Sequence, residues 1–269
     1  MKQAITLLAG ITMFITGLAQ TDSTKSESDT IKVGGMILST KTDKSEKSTE
    51  VEVKVEVHKR KKNSRVTTNW WIVDLGFNNY TDNTNYPVND FAHGLGKDQF
   101  KLRNGKSVNV NIWAFMQKLN VIKGVVNLKY GIGLELNNYR YKEPIKYNTS
   151  PTSVALDNTR NYSKNKLAAD YLTVPMMLNF NFTPHKKRGF GFSAGVSAGY
   201  LYASRQKTIT NTDGKQKNRD DFDLRPWKLS YIGELNLGWV KLYGSLASQS
   251  MFEKGLDQTP YNFGFRLGY

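Results

Sequence analysis

From residue 69 to residue 269 the chain alternates between apolar and polar positions. Trp71, Val73, Leu75 and Phe77 are interleaved with Ile72, Asp74, Gly76 and Asn78. Val108, Val110, Ile112 and Ala114 are interleaved with Asn109, Asn111, Trp113 and Phe115. Equivalent runs cover 126–137, 172–182, 190–200, 229–238, 240–246 and 261–269. Successive side chains of a strand leave opposite faces, so a period of two predicts strands. Eight are expected, of about nine residues or more, enough to cross a bilayer when tilted. One face of each is apolar, while the other carries Gly, Ser, Asn and charge. A soluble sandwich alternates as well, so the period alone does not separate the two.

Three further features favour a membrane barrel. The expected connections alternate in length: 80–106 is long, 118–123 short, 140–170 long, 183–189 short and 204–225 long. A tight turn at Gly238-Trp239 and the stretch 248–260 follow. Long loops at one end and tight turns at the other are the pattern of outer-membrane barrels. Aromatic residues crowd the strand ends: Trp70, Trp71, Tyr80, Tyr139, Tyr141, Tyr171, Tyr200, Tyr202, Trp227, Trp239, Tyr261 and Tyr269. Such rings suit the girdles at the two membrane interfaces. The last segment, FGFRLGY at 263–269, is itself a strand pattern, as expected where a final strand closes on the first. The expected fold is all-β: an eight-stranded antiparallel up-and-down transmembrane β-barrel with a flexible charged N-terminal extension. Pro175 lies inside the fourth strand and has no N–H, so a bulge or a missing ladder bond is expected there.

The first 68 residues read differently. Residues 1–19 have the form of a secretory signal, with Lys2 ahead of an apolar stretch and Gly17 and Ala19 at the cleavage positions. Residues 20–68 are rich in Ser, Thr, Lys, Glu and Asp and read as a polar periplasmic linker. Within it, 30–38 could form a short strand, and VEVKVEV at 51–57 alternates like an edge strand. The basic run from His58 to Lys62 reads as a solvated linker, with an anionic polymer or membrane surface as the other reading. Residues 69–269 are the expected barrel.

Taken together, these features resemble the outer-membrane β-barrel domain family of Bacteroidetes, the PorT-like group. The resemblance rests on WIVDLGF at 71–77, YLTVPMML at 171–178, the glycine-rich stretch 190–202 and the C-terminal strand. It implies that a proline is tolerated within the strand, as at Pro175. It also implies that Phe263, Phe265, Leu267 and Tyr269 form the assembly signal read by barrel-assembly machinery. The family brings no catalytic residues to carry over.

Candidate chemistry is sparse. The chain has no cysteine and three histidines, which excludes disulfides, thiolate metal sites and a Cys nucleophile. No metal site or cofactor is expected. The interior of an eight-stranded barrel is just wide enough for side chains. Strand parity turns Asp74, Glu135 and Glu234 inward, with Lys129, Lys228, Lys241 and Arg266. Unpaired buried charges are costly, so a structural polar network that fills the lumen is expected. The alternatives are a narrow transport or secretion-associated barrel, and an enzyme modifying lipid A or another lipid. An enzyme would need a base on the long-loop side, where His93 lies with Asp90 and Ser107 nearby in sequence.

The formal net charge is +15, and most of it falls after residue 68. Arg140, Lys142, Lys146, Arg160, Lys164 and Lys166 crowd one expected loop; Arg205, Lys207, Lys215, Lys217, Arg219 and Arg225 crowd another. The expected partners are outer-membrane lipid and lipopolysaccharide, the assembly machinery during biogenesis and an unidentified envelope or surface protein. A nucleic-acid partner is not expected, because no binding motif is present. Nor is a nucleotide site: Phe100 stands where a phosphate loop needs its first glycine, and Leu136 breaks the dinucleotide fingerprint that Gly131 and Gly133 begin. The expected role is structural or interactive, in the outer membrane, with periplasmic termini and extracellular long loops.

Overall fold

The structure is a computed structural model that describes residues 30–33, 36–39, 65–149, 151–184, 186 and 189–267. The signal, the alternating run 51–57, the basic run that begins at His58, and His185, Lys187, Arg188 and Tyr269 lie outside the described residues. The chain divides into two units, Met1–Asn63 and Ser64–Tyr269. In the first, β1 (Thr30–Val33) and β2 (Met36–Ser39) pair antiparallel, Thr30 opposite Ser39. The single short strand expected at 30–38 is thus two.

The second unit is built on eight long strands. They are β3 (Val66–Asp82), β4 (Val108–Ile122), β5 (Val126–Arg140), β8 (Tyr162–Asn181), β9 (Phe190–Thr210), β11 (Trp227–Leu237), β12 (Val240–Ala247) and β13 (Gln258–Leu267). Each pairs antiparallel with the next, and β13 pairs back onto β3, so the eight form a closed ring without a free edge. Three shorter strands occupy the long connections: β6 (Ile145–Thr149) pairs with β7 (Thr152–Leu156), and β10 (Gly214–Asn218) extends the outer end of β9. The short connections lie at the other end. Between β11 and β12 only Gly238 and Trp239 intervene, and Gly238 takes φ +82°, a value glycine reaches without strain.

Alternation sets the two faces of this ring. Leu75, Phe77, Leu134, Leu172, Val174, Phe192, Leu235, Phe263 and Phe265 are exposed on the outside. Asp74, Asn109, Asn111, Asn127, Glu135, Asn137, Thr173 and Ser193 are buried inside. This inverts the arrangement of a water-soluble fold, in which apolar faces meet in the core.

Four local features depart from the simple reading. First, β3 starts at Val66, so the ring takes up residues that composition assigns to the linker. Second, the parity slips near the start of the ring. Trp70 pairs with Phe115 and Ile72 with Trp113, which leaves Trp71 and Ala114 between them. Trp71 has φ +53°, and the β4–β5 register shifts between Trp113 and Phe115. The result turns Trp70 and Trp71 outward together. Phe115, expected inside, instead meets the exposed Trp70 ring at 5.8 Å, and Met116 takes the buried place. Third, the β5–β8 ladder pairs Tyr130 with Met176 and Gly133 with Thr173 but is interrupted between them, beside Pro175. On its other side Pro175 keeps its register opposite Ser197. Fourth, the long connections are folded rather than open, and they build an apolar cluster of their own.

Candidate functional site

Two layers fill the ring. The lower one is polar and receives a side chain from every long strand. Arg266 of β13 is the hub. Its Nε and Nη2 donate to the two oxygens of Asp74 on β3, at 2.6 and 2.8 Å. Its Nη1 donates to Glu234 of β11, which also pairs with Lys129 of β5 and accepts from Ser193 of β9. Asp74 accepts further bonds from the Trp113 indole, 2.7 Å, and from Asn111, 3.3 Å, both on β4. The guanidinium of Arg266 stands 5.9 Å from the Trp113 ring centre. Asp74 is fully buried, and four donor contacts offset the loss of its hydration.

A second ion pair, Lys228 of β11 with Glu135 of β5, lies nearer the long-loop end. Glu135 also accepts from Asn137 at 3.1 Å and from Thr173 of β8 at 3.4 Å. Lys228 sits 5.2 Å from the ring centre of Tyr171. Amide groups join the two halves. Asn111 accepts from Asn109, Asn109 donates to Asn137, and the Tyr243 hydroxyl of β12 donates to Asn109 at 2.5 Å. Asp74, Glu135, Glu234, Lys129, Lys228 and Arg266, all singled out from strand parity, therefore belong to one connected network. Lys241 lines a space of about 150 Å³ with Lys129, Glu234 and Arg266 at the short-turn end. Between the two ion pairs the remaining void is about 30 Å³.

The upper layer is apolar, and no period along the chain announces it. Tyr139, Tyr141, Tyr147, Phe100, Phe222, Phe252, Leu102, Leu167, Leu224, Met251 and Leu256 pack together with almost no exposed surface. They come from all four long connections and from the upper ends of β5 and β8. Tyr147, on β6, is central. Its hydroxyl meets that of Tyr141 at 2.7 Å, its ring stacks on Phe252, and Phe222 meets it edge-on at 5.7 Å. Gln206 of β9 fixes the β6–β7 hairpin by accepting from the Tyr147 N–H and donating to the Ile145 carbonyl. Main-chain bonds tie loop to loop: Arg103 to Arg140, Arg225 to Met251 and Asn83 to Asp257.

This layer corrects the girdle assignment for four residues. Tyr139, Tyr141 and Tyr171 are buried in the cluster, and Tyr80 packs against it. Their positions follow the inward parity of Glu135 and Asn137 on β5, of Thr173 on β8 and of Asn78 on β3. Trp70, Trp71, Tyr200, Tyr202, Trp227 and Trp239 are exposed on the outer face, as a girdle requires. Of the assembly-signal residues, Phe263, Phe265 and Leu267 are exposed on the outer face of β13.

The candidate catalytic group does not assemble. His93 and Asp90 are exposed or nearly so, each near a short 3-10 turn. Ser107 is fully buried, and its hydroxyl is engaged with the main chain of Arg140. No hydrogen bond joins the three among the described residues.

The cations assigned to open loops stand largely on strands. Arg140 pairs with Lys166, Lys166 with Lys207, and Lys207 with Lys217, across β5, β8, β9 and β10. These positions lie above the apolar outer band, at the end of the strands where the long connections sit. Like charges opposite one another are destabilising. Burial, and then the charges of Lys164, Arg205 and Lys207, push Lys166 down to about 8, with Asp170 acting the other way. A lysine depressed in the folded state binds its proton more weakly there than in the unfolded chain, so its cost is fully present below pH 8 and is relieved as pH rises. Burial raises Tyr141 and Tyr147, which oppose this once the unfolded chain's tyrosines ionise near pH 10. The thermal unfolding midpoint in neutral detergent is therefore expected to rise from about pH 8 to about pH 10 and to fall beyond it. In Lys166→Gln the rising limb is expected to flatten.

A closed antiparallel ring with an apolar exterior and a polar interior defines a class, the membrane-embedded β-barrel. The family model of the outer membrane protein beta-barrel domain matches residues 59–258, and the chain belongs to that family. It is an outer-membrane protein by that membership. No curated protein matches the chain.

Proposed function

We propose that this protein is a non-conducting outer-membrane barrel with a structural or interaction role. Its folded long connections present a surface outside the cell. The carrying observation is the double filling of the ring: a charged network spans the interior, and an aromatic layer lies directly above it. Either would obstruct diffusion, and in this reading the two together close the ring to water. In this reading the long connections are extracellular, the termini are periplasmic and residues 1–19 are a cleaved signal. The PorT-like Bacteroidetes assignment belongs here too, supported by YLTVP at 171–175. Outer-leaflet lipids are the constant partner, assembly machinery acts during biogenesis, and the exposed loops would engage an envelope or surface protein.

Reconstitution in planar bilayers tests the reading. The purified full chain is expected to give no stable open conductance at neutral pH. Stepwise single-channel currents would replace this reading with the transport alternative. The enzymatic alternative rests on His93, and the burial of Ser107 against Arg140 disfavours it. Turnover of a phosphorylated glycolipid that disappears in His93→Ala would establish it.

A further inference from the structure

We infer that the outer face of β5, β8, β9 and β10 is a binding site for a glycolipid headgroup carrying more than one phosphate, in the leaflet that surrounds the barrel. The inference rests on the membrane reading above and adds a specific site to it. Three observations carry it.

The first is the register. Arg140, Lys166, Lys207 and Lys217 stand directly opposite one another on four adjacent strands. At the usual inter-strand spacing the row is about 14 Å long. A second row, two residues further out, places Lys164 and Lys215 on either side of Ile209. Arg205 lies two residues nearer the membrane and pairs with Asp170. Seven cations thus share one sheet face with a single carboxylate. An alternation of Lys with Glu would have stabilised these strands, and its absence means that the fold bears the repulsion. A row of this length fits several phosphates better than one small anion.

The second is direction. Leu167 and Ala169 face the buried aromatic cluster, so the half-buried Lys164 and Lys166 take the opposite face, which Leu172, Val174 and Met176 continue as exposed residues; Asp170 shares that parity but is buried against its partner Arg205. The basic rows therefore continue the lipid-facing surface and do not line the interior. The third is height. Tyr200, Tyr202 and Trp227 are exposed at the base of the patch, Tyr200 against Trp227 at 5.0 Å. Rings of this kind settle where hydrocarbon gives way to headgroups. Arg205 is three residues beyond Tyr202, about 10 Å along the strand and less in height once the strand tilts. Acyl chains lying on Leu172 and Val174 would therefore put their own headgroup phosphates at the cationic rows. A dissolved polyanion would gain nothing from this continuity.

The test uses the full-length protein in vesicles doped with bis-phosphorylated lipid A, or with the same lipid after removal of both phosphates. Lipid retained after detergent extraction is counted by native mass spectrometry. Wild type is expected to retain the phosphorylated form at least about ten-fold better, and K166Q/K207Q/K217Q to lose roughly a hundred-fold, at about one tenfold step or slightly less per cation near an anionic surface. K142Q/K146Q, on the loop hairpin, should match wild type. In lipid-free neutral detergent the triple variant should unfold at a higher temperature than wild type, because like charges have been removed. A merely structural role would lower it. K207Q alone, at the centre of the row, serves if the triple variant does not fold. Equal retention of the two lipids, or undiminished retention by the variants, would overturn the site. So would tighter capture of inorganic polyphosphate than of the lipid, which would assign the row to a soluble polyanion. Vesicle flotation separates these outcomes from failure of the membrane reading: a protein that does not float with lipid refutes the barrel's placement, not the site alone.

Discussion

Replacing Arg266 by Met is expected to destabilise the barrel by about 3–5 kcal/mol, the cost of removing one partner from a buried ion pair. The guanidinium neutralises two carboxylates at once, Asp74 through two bonds and Glu234 through a third. Without it, Asp74 keeps only the Trp113 indole and the Asn111 amide. Neither carries charge, and Asp74 has no exposed surface. Glu234 keeps Lys129, so the damage falls mainly on Asp74. Arg266→Met combined with Asp74→Asn should therefore recover most of the loss. Urea unfolding of the folded protein, followed by tryptophan fluorescence, measures both variants. A single substitution that cost under about 1 kcal/mol would place Asp74 in contact with water and refute the sealed network.

The second large effect is expected in the aromatic layer. Tyr147→Ala removes a ring that touches Phe222, Phe252 and Tyr141 together. Large-to-small changes of this kind cost about 3–5 kcal/mol where the cavity cannot collapse. Here the loss is local, because the ring of strands has its own ladders and its own polar filling. The loops should open while the barrel persists. Tryptic cleavage after Lys142, beside the buried Tyr141, should accelerate roughly a hundred-fold, since about 3 kcal/mol of local opening energy is lost. The heat-modifiable gel mobility of the folded barrel should be retained. Concerted unfolding of strands and loops in this variant would show that the two layers are one cooperative unit.

Alternation along the chain is enough to make the strands and the interior charges legible. Leu128 and Leu134 share one face and Lys129 and Glu135 the other because a strand leaves no third choice. What the pattern hides has physical causes. At Trp71 a residue with positive φ adds a step to the count and reverses the phase of everything before it. No periodicity announces that, and only the adjacent pair Trp70-Trp71, two large rings where one is expected, hints at it. The aromatic layer is hidden differently. Its members are scattered over four connections between positions 80 and 256, and loop residues carry no period from which a shared core can be read. Part of it is nonetheless accessible. Tyr139 has the parity of Asn137, and Tyr171 that of Thr173, so the alternation itself assigns both to the inside. The cationic rows are visible as composition, but they read as loops because the apolar band ends below them. The alternation of Lys164 and Lys166 with Asn165 and Leu167 continues β8 beyond that point.

The pairing of Arg266 with Asp74 has a consequence for assembly. The two residues are 192 positions apart, yet they stand opposite each other where β13 meets β3. Every other neighbouring pair of strands can zip as the chain is laid down, but this seam forms last. An unclosed sheet would enter the bilayer with a carboxylate along one margin that has only the neutral Trp113 and Asn111 donors, and along the other a guanidinium that has lost its two bonds to Asp74 and keeps only Glu234. The latch thus penalises every half-finished intermediate in lipid and rewards only completion of the circle.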